Sequence, residues 1–331
     1  MPDGSWRGQK VFVTGATGLV GSWLVRELVE SGAHCVVLMH DWNPQSELIR
    51  SGVVNATTVV NGALEDFNSL ERAINRNEIR TVFHLGAQPI VSVAHRNPLQ
   101  TFESNIRGTY NLLEACRLHS SLVKRILVAS SDKAYGQAEN LPYTEDMPLA
   151  GKQPYEVSKT CADLIAQSFA CAYQLPVAIA RCGNIFGGGD LNWSRLIPSL
   201  IRSLIYGEIP IIRSDGHSLR DYIYVKDVVS AYIKLAEKID RTPEISGEAF
   251  NFSPGKPQAV LELTAMILRI MDCESVKPTI LNQAGDEIKS QYLDSTKARR
   301  ELDWSPGFTI ESGLAETILW YREFFHQQAN D

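Results

Sequence analysis

Paired cysteines are missing from this chain. Its six cysteines, Cys35, Cys116, Cys161, Cys171, Cys182 and Cys273, form no CxxC motif, and several sit inside apolar runs. The spacing offers no metal-binding pair, so buried, reduced thiols and no metal site are expected. Long apolar runs are missing too. Nothing approaches the ~20 residues a membrane span needs, and MPDGSWRGQK leads into a strand without an apolar signal region. A cytoplasmic protein with no membrane partner is expected. There is no basic excess: the net charge is −6. That argues against a nucleic-acid partner, while leaving room for a local basic pocket for phosphate. Repeats and low-complexity tracts are also lacking. What is present is 331 residues with 44% hydrophobic side chains, enough for one large domain and a smaller one.

The first half alternates strand-like and helix-like segments. KVFVTG, HCVVLM, TTVVNG, TVFHLGA, RILVAS and VAIARC read as strands. Between them lie helical patterns: Gly18 to Ser31, LERAINRN, Asn105 to Leu118, and Tyr155 to Tyr173. The cores of the strands, VFV, VVL and ILV, are apolar throughout, the mark of a parallel sheet covered on both faces. Strand–helix alternation predicts a doubly wound α/β sheet of the Rossmann type. After Gly183 the composition changes. A Gly-rich stretch, GNIFGGGDLNW, precedes four helical segments with short strands between them. Residues 1–183 are expected to form a dinucleotide-binding domain and 184–331 a smaller α/β substrate lobe, with the option that the chain crosses back.

VTGATGLVGS follows the first strand and opens the first helix. Gly15, Gly18 and Gly21 let the backbone turn tightly and approach a pyrophosphate seated on the helix N-terminus. The surrounding Thr17, Leu19 and Val20 belong to the same loop. An acid after strand two should hold the adenosine ribose, and Asp41 is the candidate. His40 is the alternative, facing a 2′-phosphate, so NAD is expected and NADP is left open. In PYEVSK, Tyr155 and Lys159 are one helical turn apart on one face. Ser131 precedes Tyr155 by 24 residues. It is followed at once by Asp132 and Lys133, an acid and a base at the end of an apolar strand.

The GxxGxxG spacing, the Ser131, Tyr155 and Lys159 set, HLGAQ and SNIRGT together resemble the extended short-chain dehydrogenase/reductase family, the nucleotide-sugar epimerases and dehydratases. The resemblance implies NAD held by the glycine loop, Asp41, Leu64, Leu85, Gly86, Ala87, Tyr155, Lys159 and Cys182. The family's Gly-Asp-hydrophobic motif reads Gly62-Ala63-Leu64 here, which leaves an adenine contact to Glu65, Asp66 or the backbone. The resemblance further implies that Ser131 binds the substrate hydroxyl and that Tyr155, as phenolate, takes its proton. Lys159 would lower the Tyr155 pKa and hold the nicotinamide ribose. All family members oxidise C4 of the sugar. Dehydratases must also remove the C5 proton and protonate the C6 hydroxyl, which needs an acid and a base side by side.

Asp132-Lys133 resembles the pair of the CDP-glucose 4,6-dehydratases, with Lys133 made neutral by burial. Gln88-Pro89, the GGGDLNWSRLIP stretch and the Glu287…Asp294 spacing are similar to the same group. By that resemblance Gln88, Asn184, Arg195, Leu196, Arg220 and Glu287 would bind the nucleotide sugar. LRDYIYVKD departs from the group's Arg-Pro-Trp-Gln-His and has the form common to epimerases. A 4,6-dehydratase is therefore expected, with a 4-epimerase as the alternative. A decarboxylase and a non-enzymatic dinucleotide sensor are disfavoured. The family pairs subunits through the helices that here carry Asn105 and Tyr155, so a homodimer or higher homo-oligomer is expected.

Overall fold

The structure is a computed structural model that describes residues 6–283 and 288–328. Its first six strands are β1 (Lys10–Thr14), β2 (His34–Met39), β3 (Thr58–Asn61), β4 (Thr81–His84), β5 (Arg125–Ala129) and β6 (Val177–Cys182). With Ala249–Phe252 they make a seven-stranded sheet in the order Ala249–Phe252, β6, β5, β4, β1, β2, β3. Every pairing in it is parallel.

Side chains alternate between the faces of a strand. In β1, Val11 and Val13 therefore enter one core with Leu24, Leu28, Val37, Phe83 and Leu127. Phe12 enters the opposite core with Leu70, Val82, Leu112 and Ile126. Both faces are roofed by helices, and this is why the three middle residues, Val11, Phe12 and Val13, are all apolar. Burying each such side chain fully is worth about 1.5–3 kcal/mol. Helix Leu19–Glu30 covers the first face, and helices Phe67–Arg76, Gly108–Leu118 and Pro154–Tyr173 cover the second. Strand order reverses between β1 and β4, which opens a crevice beyond their carboxyl ends.

The sheet does not end at residue 183. Helix Val225–Arg241 lays Val228, Tyr232, Leu235 and Ala236 in the first core beside Leu24 and Leu28. The strand Ala249–Phe252 then adds to β6. The chain leaves the sheet, returns, and leaves again, three crossings in all, so the boundary at residue 183 is not a single one and the chain does cross back between the lobes. What remains of the second lobe packs helices Leu196–Ile205, Val260–Ile270 and Ile310–Gln328 around Phe186, Ile201, Leu263, Ile267, Tyr321 and Phe324. Short strands fringe it: Asn184–Phe186 beside Tyr222–Tyr224, and Leu219–Arg220 between Gln258–Ala259 and Ser290–Gln291.

The lobes are stitched at Gly188. A Cβ there would lie 2.2 Å from the Trp320 ring, while the Trp23 indole donates to the Gly188 carbonyl at 2.7 Å. Glu47, nearly buried, accepts from the Trp320 indole at 2.8 Å and pairs with Arg26.

Cys35, Cys116 and Cys182 are buried as expected, but Cys161 and Cys273 are half-buried and Cys171 is exposed. Cys161 and Cys171 lie on helix Pro154–Tyr173, whose outer face the apolar pattern does not cover. Among the described residues no helix is long and apolar enough to cross a membrane.

Candidate active site

The glycine loop turns at the end of β1 against the end of β4. Gly15 has φ +72°, and a Cβ on it would lie 2.7 Å from the Gly86 nitrogen. A Cβ on Gly21 would lie 2.1 Å from the Gly15 carbonyl oxygen. Neither position tolerates a side chain without the loop moving. Gly18 is the N-cap of helix Leu19–Glu30 and supplies no side chain to its first N–H groups. Those donors, with the helix dipole behind them, are left for an anion. Leu19 and Val20 pack on the second lobe's core, so the loop lies where the lobes meet.

Leu85, Gly86 and Ala87 continue from β4 along this crevice. Leu64 closes it from the side: a Cβ on Gly86 would meet Leu64 Cδ1 at 3.0 Å, and one on Gly108 would meet Leu64 Cβ at 2.6 Å. His84 locks the strand end. Its Nδ1 and Nε2 bond the Thr14 and Thr109 hydroxyls at 2.8 and 3.0 Å, and burial pulls its pKa down to about 3. A smooth backbone cradle with a bare helix N-terminus, at the point where strand order reverses, fits a dinucleotide pyrophosphate. Asp41 lies just past β2, 84% exposed, bonded to His40. Asp66 is committed elsewhere, capping helix Phe67–Arg76 through the amides of Asn68 and Ser69. Cys182 is buried near the Tyr232 hydroxyl at 3.8 Å, and burial pushes its thiol up to about 12.

β5 ends at Ala129, and the chain closes at once into one 3₁₀ turn, Asp132–Tyr135. Ser131 caps that turn. Its hydroxyl accepts from the Lys133 amide at 3.2 Å and donates to Asp132 Oδ1 at 3.0 Å. The Tyr155 phenol lies close enough for the Ser131 hydroxyl to favour its anion. Ser131, Asp132, Lys133 and Tyr155 are thus brought to one place by a strand end and one helix. That helix starts with Pro154 at its first turn and a Gln153–Glu156 capping box.

Burial raises the Asp132 carboxyl, against the opposing pull of Lys133, Ser131 and Arg220. Burial also pushes the Tyr155 phenol up to about 12. Arg195 and the Ser131 hydroxyl favour its anion, and Asp132 opposes it. This corrects the expected lowering of Tyr155 by Lys159. The Lys159 ammonium is itself desolvated, which brings it down to about 8, and it donates to the Ala129 carbonyl at 2.9 Å.

On the substrate side, the Gln88 amide is held by Asn105 Oδ1 at 2.7 Å, and Asn105 Nδ2 reaches Ser158 Oγ at 2.9 Å. Asn105 sits in a π-helical turn, Glu103–Arg107, a backbone form that recurs at functional sites. Arg195 starts helix Leu196–Ile205, pairs with Asp190 at 3.1 Å and lies within electrostatic reach of Tyr155. Arg220 is 8% exposed, donates to the Leu219 and Lys289 carbonyls, and acts on Asp132. Asn184 is exposed on its short strand. Glu287 lies outside the described residues, while Asp294 caps Thr296 at 2.6 Å.

Two residues enter the site that sequence reasoning left without a role. Asp221 is fully buried, accepts the Leu293 amide at 2.7 Å, and is pushed to about 6 by burial, with Asp132 adding to the rise. Its signal in the sequence is the LRDYIYVKD stretch that holds it. Gln291 accepts from Lys133 Nζ at 2.9 Å, and no motif marks it. Among the described residues no group of three His, Cys, Asp or Glu side chains is placed to hold a metal ion.

A parallel sheet with a dinucleotide cradle at its switch point and a Ser–Tyr–Lys set beside it defines a nicotinamide-dependent oxidoreductase-type fold. The family model for the NAD dependent epimerase/dehydratase family matches residues 11–252, and the chain belongs to that family. Its cofactor is accordingly NAD. Among curated relatives, the CDP-glucose 4,6-dehydratase of Salmonella typhimurium is 30% identical, covering 96% of this chain and 91% of that protein. The UDP-glucose 4-epimerase of Bacillus subtilis is 28% identical, covering 94% and 96%. Among solved structures, the dTDP-glucose 4,6-dehydratase of Streptomyces venezuelae with NAD bound superposes with a TM-score of 0.85 at 26% identity, over 95% of this chain and 97% of that one. The UDP-glucose 4-epimerase of Thermotoga maritima with UDP-glucose gives 0.86 at 26%, over 96% and 100%.

Proposed function

We infer that the protein is a nucleotide-sugar 4,6-dehydratase acting on CDP-glucose or a close relative. The observation that carries this reading is Asp132 and Lys133 on the single turn after Ser131, with the Asp132 carboxyl buried and its pKa raised. NAD, when bound, supplies the hydride acceptor for C4 and the donor for C6, and its positive charge favours the Tyr155 phenolate.

Tyr155 takes the C4 hydroxyl proton while Ser131 holds the oxygen. The ketone at C4 makes the C5 proton acidic, and Lys133 removes it. Asp132, whose carboxyl pKa is raised by burial, gives its proton to the C6 oxygen, which leaves as water. Lys133 gives its proton back to C5 as C6 would take up the hydride, and the proton taken by Tyr155 balances the one Asp132 gave up, so the product is the substrate less one water. Lys159 holds the Tyr155 helix to the end of β5 through Ala129 and places a cation near the phenol. Arg195 and Arg220 are the cations for the diphosphate, as guanidinium forks suit. We also assign a homodimer built on helices Gly108–Leu118 and Pro154–Tyr173, whose outer faces leave Tyr110, Leu118, Leu164 and Tyr173 exposed.

Lys133→Met and Asp132→Asn separate the half-reactions. Both are expected to oxidise CDP-glucose and accumulate enzyme-bound NADH, and to lose dehydration by about 10²–10⁴-fold. Lys133→Met also loses exchange of the C5 hydrogen with deuterated solvent. Tyr155→Phe loses both halves. Normal turnover by both of the first two variants sinks the reading. The second reading, a 4-epimerase, is favoured by Arg220-Asp221-Tyr222. It gives a product of unchanged mass, which mass spectrometry separates from loss of water.

A further inference from the structure

Lys133 reaches across the site to a residue 158 positions away. Its Nζ donates to Gln291 Oε1 at 2.9 Å. Gln291 is 1% exposed, and its backbone is fixed twice. It stands in parallel register with Arg220, and its carbonyl accepts the Asp221 amide at 3.3 Å. The neighbouring Tyr292 carbonyl accepts from Tyr143 at 2.9 Å. The side chain therefore enters the site from a pinned strand. Its Nε2 is buried with no hydrogen-bond partner among the described residues. An unpaired buried amide carries an uncompensated desolvation cost, one that a merely structural glutamine would shed.

Resting on the dehydratase reading, we propose that Gln291 is the positioning residue of Lys133, holding its Nζ over the C5 hydrogen without fixing the proton there. A base must pass between ammonium and amine during each turnover. An ammonium needs an acceptor and an amine needs a donor. A carboxamide carries both within one planar group, whereas a carboxylate only accepts. A carboxylate would also add a negative charge that binds the proton more tightly. Asp132 adjoins Lys133 on the same turn, and the groups that act on Asp132 or feel it are Arg220 and Asp221 beside Gln291, Tyr143 from the loop that follows and Tyr155 from its helix. Asp132 and Asp221 already supply acidic neighbours, and a neutral partner at position 291 avoids a third.

The test uses the NAD-loaded enzyme and two variants, Gln291→Glu and Gln291→Met. First, Lys133 is labelled with dinitrofluorobenzene across a pH series and read by peptide mass spectrometry, since only the unprotonated amine reacts. Gln291→Glu is expected to move the labelling midpoint up by about one to three pH units. Gln291→Met leaves it without that rise. Second, C5 hydrogen exchange is followed with CDP-glucose in deuterated buffer. Gln291→Met is expected to lose about 10²-fold in exchange, because the amine is no longer aimed. It should still accumulate bound NADH, which also shows that it is folded. A wild-type midpoint in Gln291→Glu, or wild-type exchange in Gln291→Met, overturns the proposal. Absence of C5 exchange in the wild type overturns the dehydratase reading instead, and the labelling midpoint alone then decides whether Gln291 governs the Lys133 proton.

Discussion

Asp221 is a carboxyl that the fold keeps at a cost. Its folded pKa, about 6, stands above the 3.8 of an unperturbed aspartate. A raised carboxyl pKa means that the folded chain binds this proton more tightly than the unfolded chain does. Stability from this group is therefore lost as pH rises from about 4 to 6, and the penalty is complete above 6. Asp221→Asn keeps an acceptor for the Leu293 amide and removes the charge. It is expected to stabilise the protein by up to about 3 kcal/mol at pH 7.5, falling to about half that at pH 5. Urea unfolding at the two pH values checks it, and an equal gain at both would show that charge is not the cause. At this scale the sequence was legible where chemistry follows spacing: Ser131 and Tyr155 lie together, and Lys159 reaches Ala129 at the end of the same strand, β5. It was illegible where a partner arrives from far along the chain, as Gln291 does to Lys133. The Tyr155 pKa likewise depends on how deeply its ring and Lys159 are desolvated, which no local pattern encodes.

The glycine loop shows what an element demands of its residues. Gly21 lies inside helix Leu19–Glu30, where glycine costs helix stability of about 1 kcal/mol against alanine. It is there because its Cα hydrogen faces the Gly15 carbonyl. Gly21→Ala must push the loop off the helix, so its expected effect runs against helix propensity. NAD affinity should fall by at least tenfold, about 1.4 kcal/mol. Isothermal titration of the purified protein with NAD measures this, and unchanged affinity would show that the loop does not seat the cofactor. The central strands β1, β2 and β5 were readable because their middle residues are apolar on both faces. The two-residue strands at 219–220, 258–259 and 290–291 were not, because no periodicity exists over two residues. Nor was the π-helical turn at Glu103–Arg107, which depends on Asn105 being drawn in to the Gln88 backbone.

At the scale of the whole molecule, the exposed faces of helices Gly108–Leu118 and Pro154–Tyr173 lie side by side, with Arg117 stacked on Tyr173 at 5.2 Å. Leu164, 51% exposed, belongs to that surface. Leu164→Arg is expected to leave folding intact and to convert the assembled species to monomer in sedimentation velocity; unchanged sedimentation would place the interface elsewhere. The division of the chain into lobes was the least legible feature, because helix Val225–Arg241 and strand Ala249–Phe252 look locally like any other amphipathic helix and short strand. Their destination is set by the free edge of β6. Asn251 on that last strand accepts from the Tyr135 hydroxyl at 2.8 Å, and Arg181, paired with the buried Asp163, donates to the same hydroxyl at 2.7 Å. During synthesis, then, the nascent chain emerges from the ribosome with VAIARC as an open, sticky margin. It must wait about seventy further residues for its cover, on the order of 4–14 s at ordinary elongation rates. Over that interval the half-made protein is a client for chaperones, and its vulnerability ends only when residue 252 is free to dock.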